Sequence, residues 1–387
     1  MITSPLSIPF IDIDVQKKYN IYKSMLQRGD FMKRVSTENL VPGMITAEDI
    51  YTYSNHLILP KGLVLTDKSI TKLEFYSILS IRVEDEISAP ETPDDNLSFS
   101  QRIQASEEFK EYKQKFENTI DDFKTDINQI VELNADLDAP HLLQHALNLL
   151  DGKNGRINVF TMLHNMRNYD DLTYAHSLNV ALICNVLAGW MRLSEEDIQT
   201  ATLAGLLHDM GKMKIPDNII KKPAKLTANE YNIVKTHAIE GYNLLKNCNV
   251  NEHVKNAALM HHERFDGTGY PLGLANEKID PFARIVAVAD VYEAMTSARV
   301  YRGPLCPFKV LAIFVSEGLA KYDPTVILPF MKNIVDTYMG NRVRLSNGVE
   351  GDIIYFNPQD PSRPTIKCGS NYIDLTQEFN VEIAAII

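Results

Sequence analysis

The sharpest hydrophobic rhythm in the chain runs from residue 109 to 130. Phe109, Tyr112, Phe116, Ile120, Phe123, Ile127 and Ile130 step by threes and fours through otherwise charged sequence. This spacing predicts one long amphipathic helix with a single apolar stripe. Packing on the next domain is the preferred way to cover that stripe, and a homodimer through residues 98–133 is the alternative. Elsewhere the pattern changes register. Residues 31–90 alternate in short β-type pieces around Met44–Tyr53, Leu57–Leu59 and Leu63–Leu65, then a helix from Asp67 and a strand at Ile78–Val83. Val41-Pro42-Gly43 and Leu59-Pro60-Lys61-Gly62 supply the turns. From 141 to 340 one helical segment follows another. Ser194 with Asp197, and Thr227 with Glu230, carry the spacing of helix N-caps. The tail alternates again at Arg342–Leu345, Gly351–Phe356, Thr365–Cys368 and Asn371–Leu375.

The expected architecture is therefore mainly α. A lead-in (1–30) precedes a small α/β module (31–90) and a linker with the amphipathic helix (91–140). An all-helical domain (141–340) and a small β-rich module (341–387) follow. Ser88–Asn96, with Pro90 and Pro93, reads as the linker proper.

Composition narrows the function classes. The 387 residues are 45% hydrophobic and 23% charged, ordinary values for a soluble globular protein. The most apolar run, Leu178–Trp190, is broken by Asn179 and Asn185 and is too short to span a bilayer, so it reads as a buried helix. The N-terminus shows no secretory pattern, which predicts a cytoplasmic protein with no membrane association. A formal charge of −11 disfavours binding to nucleic acid polymers. Cys184, Cys248, Cys306 and Cys368 are widely spaced without a CxxC pair, and read as reduced structural residues.

Chemistry concentrates at residues 261–271, His261-His262-Glu263-Arg264-Phe265-Asp266-Gly267-Thr268-Gly269-Tyr270-Pro271. Adjacent side chains on a helix diverge by about 100°, so two neighbouring imidazoles meet one metal only where a helix ends and the chain turns. The turn-forming Asp266–Gly269 segment supplies such an ending. Taken alone, the pair fits a helix cap as well as a metal site. Five further ionisable residues lie in apolar surroundings: His176, His208, Asp209, His237 and Asp290. His208-Asp209 follows Ala201–Leu207, and Asp290 follows Ile285–Ala289. A buried carboxylate costs several kcal/mol unless it is paired or binds metal. Two such acids and five histidines satisfy one another most simply through cations. Imidazole and carboxylate without thiolate suit iron, manganese or another first-row divalent ion. Seven ligands exceed one ion's needs, which predicts two metals sharing one carboxylate, with Asp209 as the bridge.

These residues resemble the HD-GYP phosphodiesterases, within the wider HD metal-dependent hydrolases. His208-Asp209 stands as the HD doublet and Gly269-Tyr270-Pro271 as the GYP signature. Ile215-Pro216-Asp217, Lys222-Pro223, Leu226-Thr227, Glu230 and His237 also match, over roughly residues 155–340. The resemblance implies hydrolysis of cyclic di-GMP to linear pGpG, and in a further step to GMP. It places one ion on His176, His208, Asp209 and Asp290, and the other on Asp209, His237, His261 and His262, with a bridging water or hydroxide as nucleophile. Lys212 then serves the scissile phosphate as charge stabiliser or proton donor, and Asp209 and Lys212 form the catalytic pair. Arg299 and Arg302 meet the phosphates or guanine, while Tyr270 and Gly269 shape the pocket. Two alternatives stay open: another cyclic dinucleotide such as cyclic GMP-AMP as substrate, and a catalytically silent module that binds the dinucleotide.

Two positions depart from the family pattern. Leu172 stands four before His176, where some members recruit a third metal with glutamate, and Asp170 and Asp171 are out of register, so two ions are expected. Glu293 stands where many members carry aspartate, which puts fine substrate positioning in question. His56, His164 and His253 are single, and the pair His141 and His145 reads as a solvated helix face.

Overall fold

The computed structural model describes residues 32–51, 57–76, 78, 80–84, 99–133, 137–150, 159–166, 172–222, 224–297, 303–369 and 371–387. The expected lead-in (1–30), the linker Ser88–Asn96, and Asp170, Asp171, Arg299 and Arg302 lie outside the described residues. The chain divides into two compact units, residues 1–93 and 94–387.

In the first unit β1 (Met32–Ser36), β2 (Ile50–Tyr51), β3 (Leu57–Leu59), α1 (Asp67–Phe75) and β4 (Ser80–Glu84) follow in order. β1 pairs antiparallel with β4, and β2 with β3. Gly43 and Gly62 adopt positive φ of 97° and 78° in the two turns expected from their prolines. The strand expected at Met44–Tyr53 is shorter. Ile45 and Thr46 make only isolated bridges, to Val64 and Val83, before β2 begins. Sequence reading also passed over β1, because only its partner β4, more than forty residues on, completes it. Val35, Ile50, Leu65, Leu73, Ile81 and Val83 are among the residues that fill this unit's core.

The second unit starts with α2 (Phe99–Ala105) and the long α3 (Glu107–Leu133), then α4 (Ala139–Asn148) and α5 (Val159–Asn165). All seven stripe residues of α3 are buried in the unit's core. Phe123 meets the Tyr174 ring edge-on, and the Tyr174 hydroxyl donates to Asn128 of α3. The chain itself covers the stripe, so the homodimer reading through residues 98–133 loses its apolar basis.

At the centre lies α6 (Leu172–Trp190), whose face from Leu178 to Ala188 is almost wholly enclosed. α7 (Glu195–Leu207) is capped by Ser194, whose hydroxyl accepts from the Asp197 amide. A Cβ on Gly205 would lie 2.9 Å from the Ala181 Cα, so glycine lets α7 run against α6. Beyond a 3-10 turn (Met210–Lys214) come α8 (Asp217–Ile220), α9 (Ala228–Lys235), α10 (His237–Leu245) and α11 (Glu252–Met260). Thr227 and Glu230 complete a reciprocal capping box on α9. α12 (Pro281–Thr296), α13 (Pro307–Ile313), α14 (Leu319–Lys321) and α15 (Pro324–Asp336) finish the helical part. Among the described residues no helix is long and apolar enough to cross a membrane.

A five-stranded antiparallel sheet closes the unit: β5 (Arg342–Leu345), β6 (Glu350–Asn357), β7 (Asp360–Cys368), β8 (Asn371–Asp374) and β9 (Ile383–Ile386), in spatial order β8-β7-β6-β5-β9. β7 begins earlier than its hydrophobic pattern indicates. The register shift between Tyr355 and Asn357 of β6 accommodates Pro361 and Pro364, which cannot donate to a regular ladder. Val343, Ile353, Phe356 and Ile366 join the same core as α3 and α6. All four cysteines are free.

Candidate metal centre

Helix ends supply most of this centre. His208 is the C-cap of α7, and Asp209 follows with φ −97° and ψ 8°, a sparsely populated conformation common at active sites. His237 opens α10, His261 caps α11 with His262 next to it, and His176 and Asp290 come from the interiors of α6 and α12. Glycine makes the junction possible. A Cβ on Gly211 would lie 1.9 Å from the His237 carbonyl oxygen and 2.4 Å from the Gly241 nitrogen, so only a bare backbone lets the 3-10 turn sit on α10.

The two oxygens of Asp209 face different partners. Oδ2 lies 3.4 Å from His176 Nε2 and 3.3 Å from His208 Nε2, while Oδ1 lies 3.4 Å from His237 Nε2 and 3.8 Å from His261 Nε2. Asp290 closes both ends, with Oδ1 3.1 Å from His176 Nε2 and Oδ2 4.0 Å from His262 Nδ1. Asp209, His237, His261 and His262 thus form one group able to hold an ion, and His176, His208 and Asp209 another. Lys212 Nζ donates to Asp209 Oδ2.

The ring orientations are set from behind. His208 Nδ1 donates to the Gly205 carbonyl at 2.7 Å, His237 Nδ1 to Val234 at 2.6 Å and His261 Nδ1 to Ala257 at 3.0 Å. Each bond fixes the tautomer and turns Nε2 inward, as supports of metal-ligating imidazoles do. His176 Nδ1 is held by Glu293, which also accepts from Asn179 at 3.1 Å and from Ser297 at 2.6 Å. The glutamate's longer reach is spent on the back nitrogen of His176. Two polar atoms, His208 Nε2 and Asp209 Oδ1, are buried without a hydrogen-bond partner. Such orphans are costly, and a cation would satisfy both. The residues fit divalent metal.

Protonation follows the same logic. Burial, reinforced by neighbouring imidazoles, holds His261 well below its usual value. Burial likewise lowers His237 and takes His262 down to about 3. All three keep the neutral form that binds metal. Burial also works against a charged His176, but Glu293, helped by Asp209 and Asp290, overrides it and carries the imidazole up to about 10. Asp209 and Asp290 are held well below the carboxylate range. Burial opposes this in both, and is outweighed by Lys212 and His208 at Asp209 and by His176 at Asp290.

A pH dependence follows for metal-stripped protein. Below about pH 6.5 the unfolded chain protonates His237, His261 and His262 while the folded chain does not, so stability falls toward acid by up to about 1.4 kcal/mol per pH unit for each imidazole. His176 stabilises fully below about pH 6.5, and its contribution declines as pH rises through the folded value near 10. Urea unfolding of chelator-treated protein between pH 5 and 8 should show greatest stability near neutrality, and a flat profile would refute these assignments.

Glu263 is a support of the centre's loop to which sequence reading gave no role. Buried at 2% exposure, its carboxylate accepts from the amides of Leu272 at 2.6 Å, Gly273 at 3.1 Å and Leu274 at 3.0 Å. It pins the loop that carries Tyr270. An acid directly after two histidines was the available signal. A Cβ on Gly269 would lie 2.4 Å from the Arg264 nitrogen, so the loop folds tightly back on that strand of chain. Tyr270 stacks on His262, with ring centroids 4.7 Å apart. Leu172 opens α6, and its side chain lies outside the described residues.

The HD domain family model matches residues 157–326. A cyclic di-GMP phosphodiesterase of Pseudomonas aeruginosa is 37% identical over 58% of this chain and 55% of its own length. The cyclic di-GMP phosphodiesterase response regulator RpfG of Xanthomonas campestris pv. campestris is 40% identical over 41% of this chain and 42% of its own. A 3'3'-cGAMP-specific phosphodiesterase of Vibrio cholerae is 40% identical over 43% of this chain and 39% of its own. The chain spans about half, or less, of the length of these curated relatives. Residues 157–326 thus match the HD domain family, and the doublet His208-Asp209 and the Gly269-Tyr270-Pro271 signature that mark the resemblance to HD-GYP phosphodiesterases border one centre.

Proposed function

We propose that this chain is a metal-dependent phosphodiesterase that hydrolyses cyclic di-GMP to linear pGpG with two divalent ions, iron or manganese. The observation that carries the reading is the two-sided Asp209, whose oxygens each face a separate pair of inward-turned imidazoles. The ions would take His176, His208, Asp209 and Asp290 on one side, and Asp209, His237, His261 and His262 on the other. When bound, such ions supply Lewis acidity to the phosphate and acidify a water nucleophile.

The chain's own residues do the rest. Lys212, beside the shared carboxylate, is placed to neutralise charge on the phosphate and to protonate the leaving oxygen. Tyr270, stacked on His262, and Gly269 beside it would shape the substrate pocket. Arg299 and Arg302, assigned from sequence, would supply charged hydrogen bonds to the phosphates. The cyclic GMP-AMP reading is kept because one relative bears that specificity in its name. A silent binding module is disfavoured by the retention of all seven ligand side chains in one place.

The test is anaerobic reconstitution with Fe(II) or Mn(II), followed by product analysis on a panel of cyclic dinucleotides. Conversion of cyclic di-GMP to pGpG is expected. Preference for cyclic GMP-AMP selects the alternative substrate, and metal-loaded protein that hydrolyses none of the panel overturns the enzymatic reading. Alanine at Arg299 or Arg302, in a metal-loaded Lys212→Ala background, should weaken cyclic di-GMP binding by about ten-fold or more, since a charged hydrogen bond contributes about 1.5–3 kcal/mol. Unchanged affinity would return both arginines to solvent.

A further inference from the structure

Outside residues 157–326, α3 and α4 bring together two histidines and two aspartates. His141 and His145 are one turn apart on the same face of α4, as Asp122 and Asp126 are on α3. His141 Nδ1 lies 3.3 Å from Asp126 Oδ2, and His145 Nδ1 lies 3.2 Å from Asp122 Oδ2. Each carboxylate thus stands at ion-pair distance from its imidazole's Nδ1, the ring nitrogen that carries the proton when Nε2 ligates a metal. The two Nε2 atoms face each other at 3.0 Å. Two Nε2 atoms this close share either one proton or one cation. Nitrogens about 2.0–2.1 Å from one divalent ion reach this spacing as neighbouring ligands.

We propose that His141 and His145 form a second metal site, separate from the central one, which binds a single late first-row divalent ion such as zinc. Two imidazoles suit zinc, nickel or copper, and the carboxylates act as outer supports that orient the rings. The His141 side chain is 48% exposed and that of His145 28%, so solvent completes the coordination and the ion enters freely. Because the ligands come from α4 and their supports from α3, occupancy ties the long helix to its neighbour.

The test compares the full chain with its His141→Ala, His145→Ala variant after equilibration with excess Zn(II), by elemental count and by competition with a chelating dye. The variant should hold one zinc fewer per chain. Its melting temperature without metal and its Mn(II)-supported hydrolysis should stay at the unsubstituted level, which separates failure here from failure at the central site. The Asp122→Asn, Asp126→Asn variant should bind the extra zinc about 10- to 100-fold more weakly. Equal zinc counts in the unsubstituted and double-alanine chains would overturn the site and leave the pair joined by a shared proton. So would zinc X-ray absorption of the unsubstituted chain with no signal beyond that of the double-alanine variant.

Discussion

Asp209→Ala is expected to strip the central metals and abolish hydrolysis, while Lys212→Ala keeps the metals and slows turnover. The physical difference lies in what each side chain touches. Asp209 offers one oxygen to each side of the centre, so its loss removes a ligand from both groups at once and leaves four imidazoles without their shared carboxylate. Metal polarisation of a phosphodiester accounts for several kcal/mol of transition-state stabilisation, so activity should fall by at least about 10³-fold. Among the described residues Lys212 reaches only Asp209 Oδ2, and an ammonium group is no metal ligand. Its removal should lower kcat by about 10² to 10⁴-fold, the range of a proton donor, with metal content intact. Elemental analysis of both variants decides between ligand and catalyst. Full metal content in folded Asp209→Ala protein would sink the bridging assignment.

Gly211→Ala should cost at least about 3 kcal/mol, at or beyond the upper end of overpacking penalties, because the added methyl meets fixed backbone. The contacts at 1.9 Å and 2.4 Å involve the His237 carbonyl and the Gly241 amide, which cannot swing aside as a flexible side chain would. Relief requires the 3-10 turn to withdraw from α10, which also separates Asp209 from His237. A melting point about 6–12 °C lower and loss of metal from the His237 side are expected together. Gly189→Ala is the control. It lies at the end of α6 with nothing within 4 Å of the added carbon, so alanine there should be neutral or stabilising by up to about 1 kcal/mol. Equal melting temperatures for the two variants would refute the close-approach account.

The sequence by itself determined the helical character, the buried stripe of α3 and the identity of the seven ionisable residues, because these are local. Periodicity reports which face of an element is buried, and a carboxylate inside an apolar run such as Ile285–Ala289 announces a partner without naming it. Distance-dependent facts were beyond its reach. β1 and β9 went unread because each is short and completed by a strand far along the chain. Only the fold could decide that Asp209 faces two histidine pairs, that Glu293 holds the back of His176, and that Glu263 gathers three amides of the signature loop. The same holds for His141 and His145. Their spacing was visible, but the aspartates beside their Nδ1 atoms lie on another helix, and which side chains meet across two helices is a property of the packed chain.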